Sequence, residues 1–333
     1  REWVFQQVRP SREMSAGVNV IAVAKAGRFA PVGIRLAAGN VKVLADFVAG
    51  AGGRLLALTG AGCSTESGVP DYRSPEGSYA KGHKPMQHAS FVRDPTQRAR
   101  YWARSLRGWR YFAKSRPNGT HFALAALERA FHVAAVITQN VDGLHTLAGS
   151  QHVLDLHGRN DTVVCLSCGA RRPRIDYQEE LEEVNAEWMA EFLPVPSGAE
   201  QDIRADGDAH LAHNDFRHFK VPGCSLCHVG VLMPDVVFFG GSLRPEVRDE
   251  AQQLVDESSR LLVLGSSCQV FSAFRLVQSA ARAGKPVALV NIGPTRADPL
   301  IPAELRFPSR CGEAMLAICA QLQVPIDSTR MST

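Results

Sequence analysis

No apolar run in this 333-residue sequence approaches the about 20 residues that cross a bilayer, which excludes a helical membrane span. Cysteine is scarce at eight residues, and a disulfide framework is out of keeping with a chain that is 45% hydrophobic. Charge of one sign is missing too: the net +4 is modest for the length. The one tight basic cluster, Arg171-Arg172-Pro173-Arg174, runs straight into the acidic stretch 179–183, so no nucleic-acid face is expected. Carboxylates are nearly absent from the start. Only Glu2 and Glu13 precede Asp46, against Arg1, Arg9, Arg12, Lys25, Arg28, Arg35 and Lys42. Residues 1–40 therefore read either as an arginine-rich transit-like segment or as an irregular N-terminal arm.

What is present is an α/β pattern. Continuous apolar runs at 55–59, 133–138, 261–264 and 286–290 each end in a small polar turn, and helical spacing recurs at 41–51, 97–114, 121–130, 246–258 and 272–283. Runs of this kind read as buried parallel strands, and ligands of such sheets bind beyond the carboxyl ends of the strands. The polar turns all fall there, which predicts one shared site. The fold class expected is a Rossmann-like parallel sheet over 41–160 and 235–325, with a small inserted domain at 161–234.

That insertion carries two Cys-x-x-Cys pairs, Cys165-Leu166-Ser167-Cys168 and Cys224-Ser225-Leu226-Cys227. Each pair presents two thiolates to a tetrahedral ion, so one zinc is expected on Cys165, Cys168, Cys224 and Cys227. The 55 residues between the pairs exceed the usual zinc-ribbon spacing, so a folded excursion must fill the gap. Four sulfur ligands leave no open position, which makes the ion structural. The other cysteines (Cys63, Cys268, Cys311 and Cys319) read as small buried hydrophobes.

Gly60-Ala61-Gly62 follows a strand, as a dinucleotide-phosphate turn requires. The dehydrogenase fingerprint is nevertheless missing. Gly68 comes six residues after Gly62, no acid-tipped second strand follows about 20 residues on, and 71–95 reads as loop. Hydride transfer is disfavoured.

The stretch Gly60-Ala61-Gly62-Cys63-Ser64-Thr65-Glu66-Ser67-Gly68-Val69-Pro70-Asp71-Tyr72-Arg73-Ser74 resembles the sirtuin signature GAGxSxxSGIPDFRS. Thr138-Gln139-Asn140-Val141-Asp142-Gly143-Leu144-His145 is similar to that family's TQNIDGLH, and His157-Gly158 to its catalytic HG. The cysteine pairs, Pro234-Asp235-Val236-Val237-Phe238-Phe239-Gly240, Gly265-Ser266-Ser267 and Asn291-Ile292-Gly293 follow in the family's order over about residues 40–320. Details such as Tyr101-Trp102-Ala103-Arg104 look most like the class II, sirtuin-four-like branch.

The resemblance implies an NAD-dependent protein lysine deacylase that moves the acyl group to ADP-ribose and releases nicotinamide. Mono-ADP-ribosyl transfer to protein is the alternative, and a non-enzymatic zinc-ribbon binding module is a distant third. It implies His157 as the general base, with Asn140 and Asp142 on the nicotinamide carboxamide and Gln139 near the ribose. Gly60, Ala61, Gly62, Ser64, Thr65, Asp71, Tyr72, Arg73, Val141, Gly265, Ser266, Ser267, Asn291, Ile292, Gly293 and Cys311 make up the rest of the NAD site. Val236, Val237, Phe238, Phe239 and Gly240 resemble the strand that pairs with an acyl-lysine peptide. Departures from the family pattern are Cys63, Gly241 and Cys268, the last carrying an expectation of oxidant sensitivity. Tyr101 and Arg104 have the spacing of an acid-holding pair, but they fall several residues too early, so no strong succinyl preference is expected. A monomer is expected, acting on acyl-lysine proteins in the mitochondrial matrix of a eukaryote or the cytoplasm of a bacterium.

Overall fold

The computed structural model describes residues 36–193, 203–211 and 215–327. Of the segment 1–40 read as transit-like or as an irregular arm, residues 1–35 lie outside the described residues, as does part of the polar stretch after residue 193.

β1 (Leu55–Thr59) is buried along its whole length because both of its faces are covered. Leu55 and Ala57 point into one apolar cluster, Leu56 and Leu58 into another, as the two-residue period of a strand dictates. β2 (Val133–Thr138) and β7 (Arg260–Leu264) flank it, both parallel. β3 (Val153–Asp155), β8 (Val287–Val290) and β9 (Arg306–Phe307) complete a six-stranded sheet in the order β3-β2-β1-β7-β8-β9. Its first face is covered by α1 (Ala38–Ala49), α4 (Gly119–Arg129) and α10 (Cys311–Gln321), its second by α8 (Pro245–Glu257) and α9 (Phe271–Arg282). This is the expected Rossmann-like sheet.

The cysteine pairs attach to a second, antiparallel sheet of β4 (Gly158–Cys165), β5 (Arg171–Pro173) and β6 (Leu232–Val236), in the order β5-β4-β6. An aromatic-rich cluster packs beneath it, joining α3 (Pro95–Phe112) to α6 (Arg174–Val184) and α7 (Ala186–Phe192). At its centre Arg174 is fully buried between the rings of Trp102 and Trp109, 5.1 and 4.9 Å away. Burial pushes that guanidinium down to about 10, and cation–π contact supplies part of the solvation it has lost.

The region 71–95 is not all loop. α2 (His88–Arg93) lies within it, followed by Asp94, which caps α3 by accepting from Thr96 N and Gln97 N. A second cap bears on the site. Asn118 accepts from Thr120 N to start α4, and its amide donates to the Cys63 carbonyl at 2.7 Å and to Ser67 Oγ at 2.9 Å. The helix start thereby fixes the chain that follows the glycine turn.

Candidate active site and metal centre

The carboxyl ends of β1, β2, β7 and β8 open onto one cavity of about 960 Å³. Its phosphate-turn side is built by direct backbone contact. Gly60 N donates to Leu264 O and Gly62 N to Gly265 O, at 3.0 and 2.9 Å. A Cβ on Gly60 would stand 2.8 Å from the Gly265 carbonyl oxygen, and one on Gly62 would stand 2.9 Å from it. Gly265 holds φ at +57°, so both turns require small residues and leave their mouth open.

Of the expected cofactor and peptide residues, all line the cavity except Gly60, Ser64 and Asp142. Those three stand behind the wall and hold Asn140. Ser64 Oγ donates to Asp142 Oδ2 at 2.6 Å, while Asn140 Nδ2 donates to Gly60 O and to Ser64 Oγ at 3.1 and 3.0 Å. Both amide hydrogens are thus committed, and the Asn140 carbonyl is left as the group available to a ligand. Ser64 and Asp142, expected from sequence among the cofactor residues, form the support of Asn140 in this geometry.

His157 lies in the cavity wall between β3 and β4. Nδ1 is 3.0 Å from the Gln139 carbonyl, which can only accept, so Nδ1 carries the hydrogen. Nε2 is then an unprotonated acceptor, receiving the Ser272 hydroxyl at 2.8 Å. Burial lowers the pKa of the ring, and the Gln139 carbonyl opposes that shift. The tautomer and the basicity both suit proton abstraction near neutral pH. Val237 N donates to the His157 backbone carbonyl at 2.8 Å, tying the 236–240 segment to the same residue.

The cysteines converge as expected. Sγ of Cys165 and Cys227 are 3.7 Å apart, those of Cys168 and Cys224 are 3.8 Å apart, and all four sulfurs lie within 4.8 Å of one another. Gly230 leaves room for them, since a Cβ there would overlap Cys165 Sγ. Four mutually close thiols with no carboxylate among them fit a structural zinc ion and leave no vacancy for chemistry. The group is separate from the residues lining the cavity.

Several wall residues lie outside the set expected for the cofactor and the peptide. Tyr101, Met86 and Asp206 reach the cavity from α3, from the loop before α2, and from the excursion between the cysteine pairs. Asp206 accepts from His83 Nε2 at 3.1 Å; burial opposes its charge, and the His83 bond with Arg104 nearby overcomes this and keeps its pKa low. Its neighbour Asp208 is fully buried and clamped by Arg104 and Arg204. Arg104 is thereby committed to Asp208 and does not line the cavity, so Tyr101 and Arg104 do not act there as a pair. Gly108 explains how the excursion lies on α3: a Cβ would stand 2.6 Å from the Gly207 carbonyl. The oxidant sensitivity expected of Cys268 is also corrected. The thiol is buried, is absent from the cavity wall, and is pushed up to about 11 by desolvation, so little thiolate forms.

The Sir2 family model matches residues 60–272. The chain is 48% identical over 274 residues to NAD-dependent protein deacetylase 2 of Bradyrhizobium diazoefficiens, covering 82% of this chain and 95% of that protein. It is 44% identical over 315 residues to the human NAD-dependent protein lipoamidase sirtuin-4, mitochondrial, covering 94% and 93%. Among solved structures, a Sir2 complex with a p53 peptide and NAD⁺ superposes with a TM-score of 0.65 at 27% identity, covering 86% of this chain and 99% of that one. A Sir2 variant with deacetylated p53 peptide and 3′-O-acetyl-ADP-ribose gives 0.68 at 28%, with the same coverage. With matches over most of its length, the paired glycine turns, the buried histidine and the four-cysteine cluster, this chain belongs to the Sir2 family.

Proposed function

We propose that this chain is an NAD-dependent protein lysine deacylase, with protein deacetylation as its basic activity. The observation that carries the reading is His157, held with Nε2 unprotonated between the paired glycine turns and the 236–240 segment. Bacterial deacetylases at 43–48% identity and sirtuin-4 lipoamidases at 44% support NAD as the co-substrate and an acyl-lysine protein as the partner.

NAD supplies an activated ribose that accepts the acyl group as nicotinamide leaves. The residues of this chain bind, orient and move a proton. The small residues of the 60–62 and 265–267 turns leave room for phosphate at the cavity mouth, and Arg73, whose Nη1 is 3.4 Å from Ser267 Oγ, adds positive charge there. Gln139 donates to Ser266 Oγ at 2.8 Å and braces the two turns. Asn140 presents its carbonyl to an amide donor. His157 takes a proton from a substrate hydroxyl at Nε2. Val236, Val237, Phe238, Phe239 and Gly240 form the edge on which an extended peptide docks, with Gly241 beside it. The four thiolates hold zinc as scaffold only.

The test is incubation of acetyl-, lipoyl- and succinyl-lysine peptides with labelled NAD. Label leaving as O-acyl-ADP-ribose supports deacylation; label retained on protein makes this a mono-ADP-ribosyltransferase instead.

A further inference from the structure

Among the described residues, the one hydroxyl bonded to the ring of the histidine comes from a residue that no expectation assigned. Ser272 is the second residue of α9, on the far side of the chain from the HG motif, and its Oγ lies 2.8 Å from His157 Nε2. Gly265 O accepts from Gly62 N and Ser267 O from Arg296 N, while Cys268 N donates to Ser266 Oγ, so α9 enters from a fixed end. Apolar burial of Ala273, Phe274, Leu276 and Val277 sets the helix rotation. Ser272 therefore reaches the ring from a rigid element and not from a loop.

We infer that Ser272 is a positioning residue for the base: its hydroxyl holds His157 in the Nδ1–H tautomer before proton transfer and accepts from the new Nε2–H after it. A hydroxyl can do both because it carries one donor and two lone pairs. With the ring neutral, Ser272 donates and Nε2 accepts. Nε2 has one lone pair, so the serine hydrogen turns away as the substrate hydroxyl arrives; once Nε2 has taken that hydroxyl's proton, the lone pair has become an N–H and Ser272 Oγ accepts from it. No atom other than the transferred proton is gained or lost. The second bond is charge-assisted and stronger than the first, so the hydroxyl favours the imidazolium relative to a ring without it. On the opposite edge the Gln139 carbonyl accepts from Nδ1–H in both states. The ring is thus held between two oxygens, one of which reverses its role.

The groups around the ring leave this effect to Ser272. Gln139 just after β2, Ser272 from α9 and the Val237 amide that bonds the histidine backbone are all uncharged. The nearest charges along its own strand segment, Asp155 and Arg159, face each other at 3.7 Å. No carboxylate is hydrogen-bonded to the imidazole among the described residues, so the hydroxyl occupies the place where a charged partner would otherwise stand.

The kinetic part of the test rests on the deacylase reading, and the spectroscopic part does not, so the two can fail separately. Histidine-labelled full-length protein is titrated by nitrogen-15 NMR as wild type, Ser272→Ala and Ser272→Thr, with His157→Asn used to assign the signal. The wild type is expected to show the Nδ1–H tautomer at pH 8. Ser272→Ala is expected to titrate at lower pH than wild type, and Ser272→Thr to return toward it. In turnover with acetyl peptide, Ser272→Ala should lower kcat on the order of tenfold, leave KM for NAD within about twofold, and be rescued by threonine. An Nε2–H tautomer in the wild type overturns the inference even if the alanine variant does not fold. So does a His157 titration in Ser272→Ala that is unchanged or moved to higher pH.

Discussion

Ser64 donates its hydroxyl hydrogen to Asp142 at 2.6 Å, and the same oxygen accepts from Asn140 at 3.0 Å. Asp142 in turn accepts from Leu144 N at 3.0 Å, so a carboxylate fixes a hydroxyl and the hydroxyl fixes an amide. Burial holds the Asp142 carboxyl above its ordinary value, with the Ser64 bond opposing. Replacing Ser64 with alanine frees one Asn140 hydrogen and lets the amide turn. KM for NAD should rise about 5- to 20-fold, equivalent to about 1–2 kcal/mol, with a smaller change in kcat. Steady-state kinetics at saturating peptide checks this.

The zinc cluster makes a separate prediction about stability. Metal analysis should give one zinc per chain. Cys224→Ser should lower zinc content and thermal stability together, because ligand binding and folding of the small sheet are linked. Gly230→Ala should do the same without removing a ligand, since its Cβ would overlap Cys165 Sγ. Full zinc content in Gly230→Ala would contradict the packing described.

Much of this was readable in the residues, and the reasons for the rest are specific. Strands 55–59 and 133–138 were legible because both faces are buried, which leaves an unbroken apolar run. The glycine turns and cysteine pairs were legible because close approach and metal ligation restrict residue type at fixed spacing. β5 and β9 were not, being only three and two residues long. Asp206 and Ser272 reach the site through long-range placement, at 123 and 115 residues from their histidine partners, and no local pattern marks either. The motif fixes that Ser64 and Asp142 are present, while the hydrogen bonds that join them to Asn140 are visible only in the folded chain.

Asp208 carries the largest stability prediction. It is fully buried, its carboxyl is pushed up to about 6 by burial and then by Asp206, and it pairs with Arg104 and Arg204. Asp208→Ala leaves Arg104 buried without its carboxylate and should cost about 3–5 kcal/mol, read as a lower urea midpoint. Replacing exposed Asp249, paired with Arg248, should leave the urea midpoint essentially unchanged.

The pH dependence follows from the base. His157 must be unprotonated to act, and burial lowers its pKa. Activity is therefore retained as pH falls to the ordinary histidine value near 6.5 and is lost only below it. A pH profile of kcat/KM from pH 5 to 9 checks this, and an acid limb above pH 6.5 would contradict it.

The most direct measurement is mass spectrometry of acetyl peptide and NAD incubated with wild type and with His157→Ala. The account predicts one nicotinamide and one O-acetyl-ADP-ribose for each peptide deacetylated by the wild type, and loss of that product in the variant. Deacetylation without NAD, ADP-ribose retained on protein, or equal turnover by His157→Ala would contradict it.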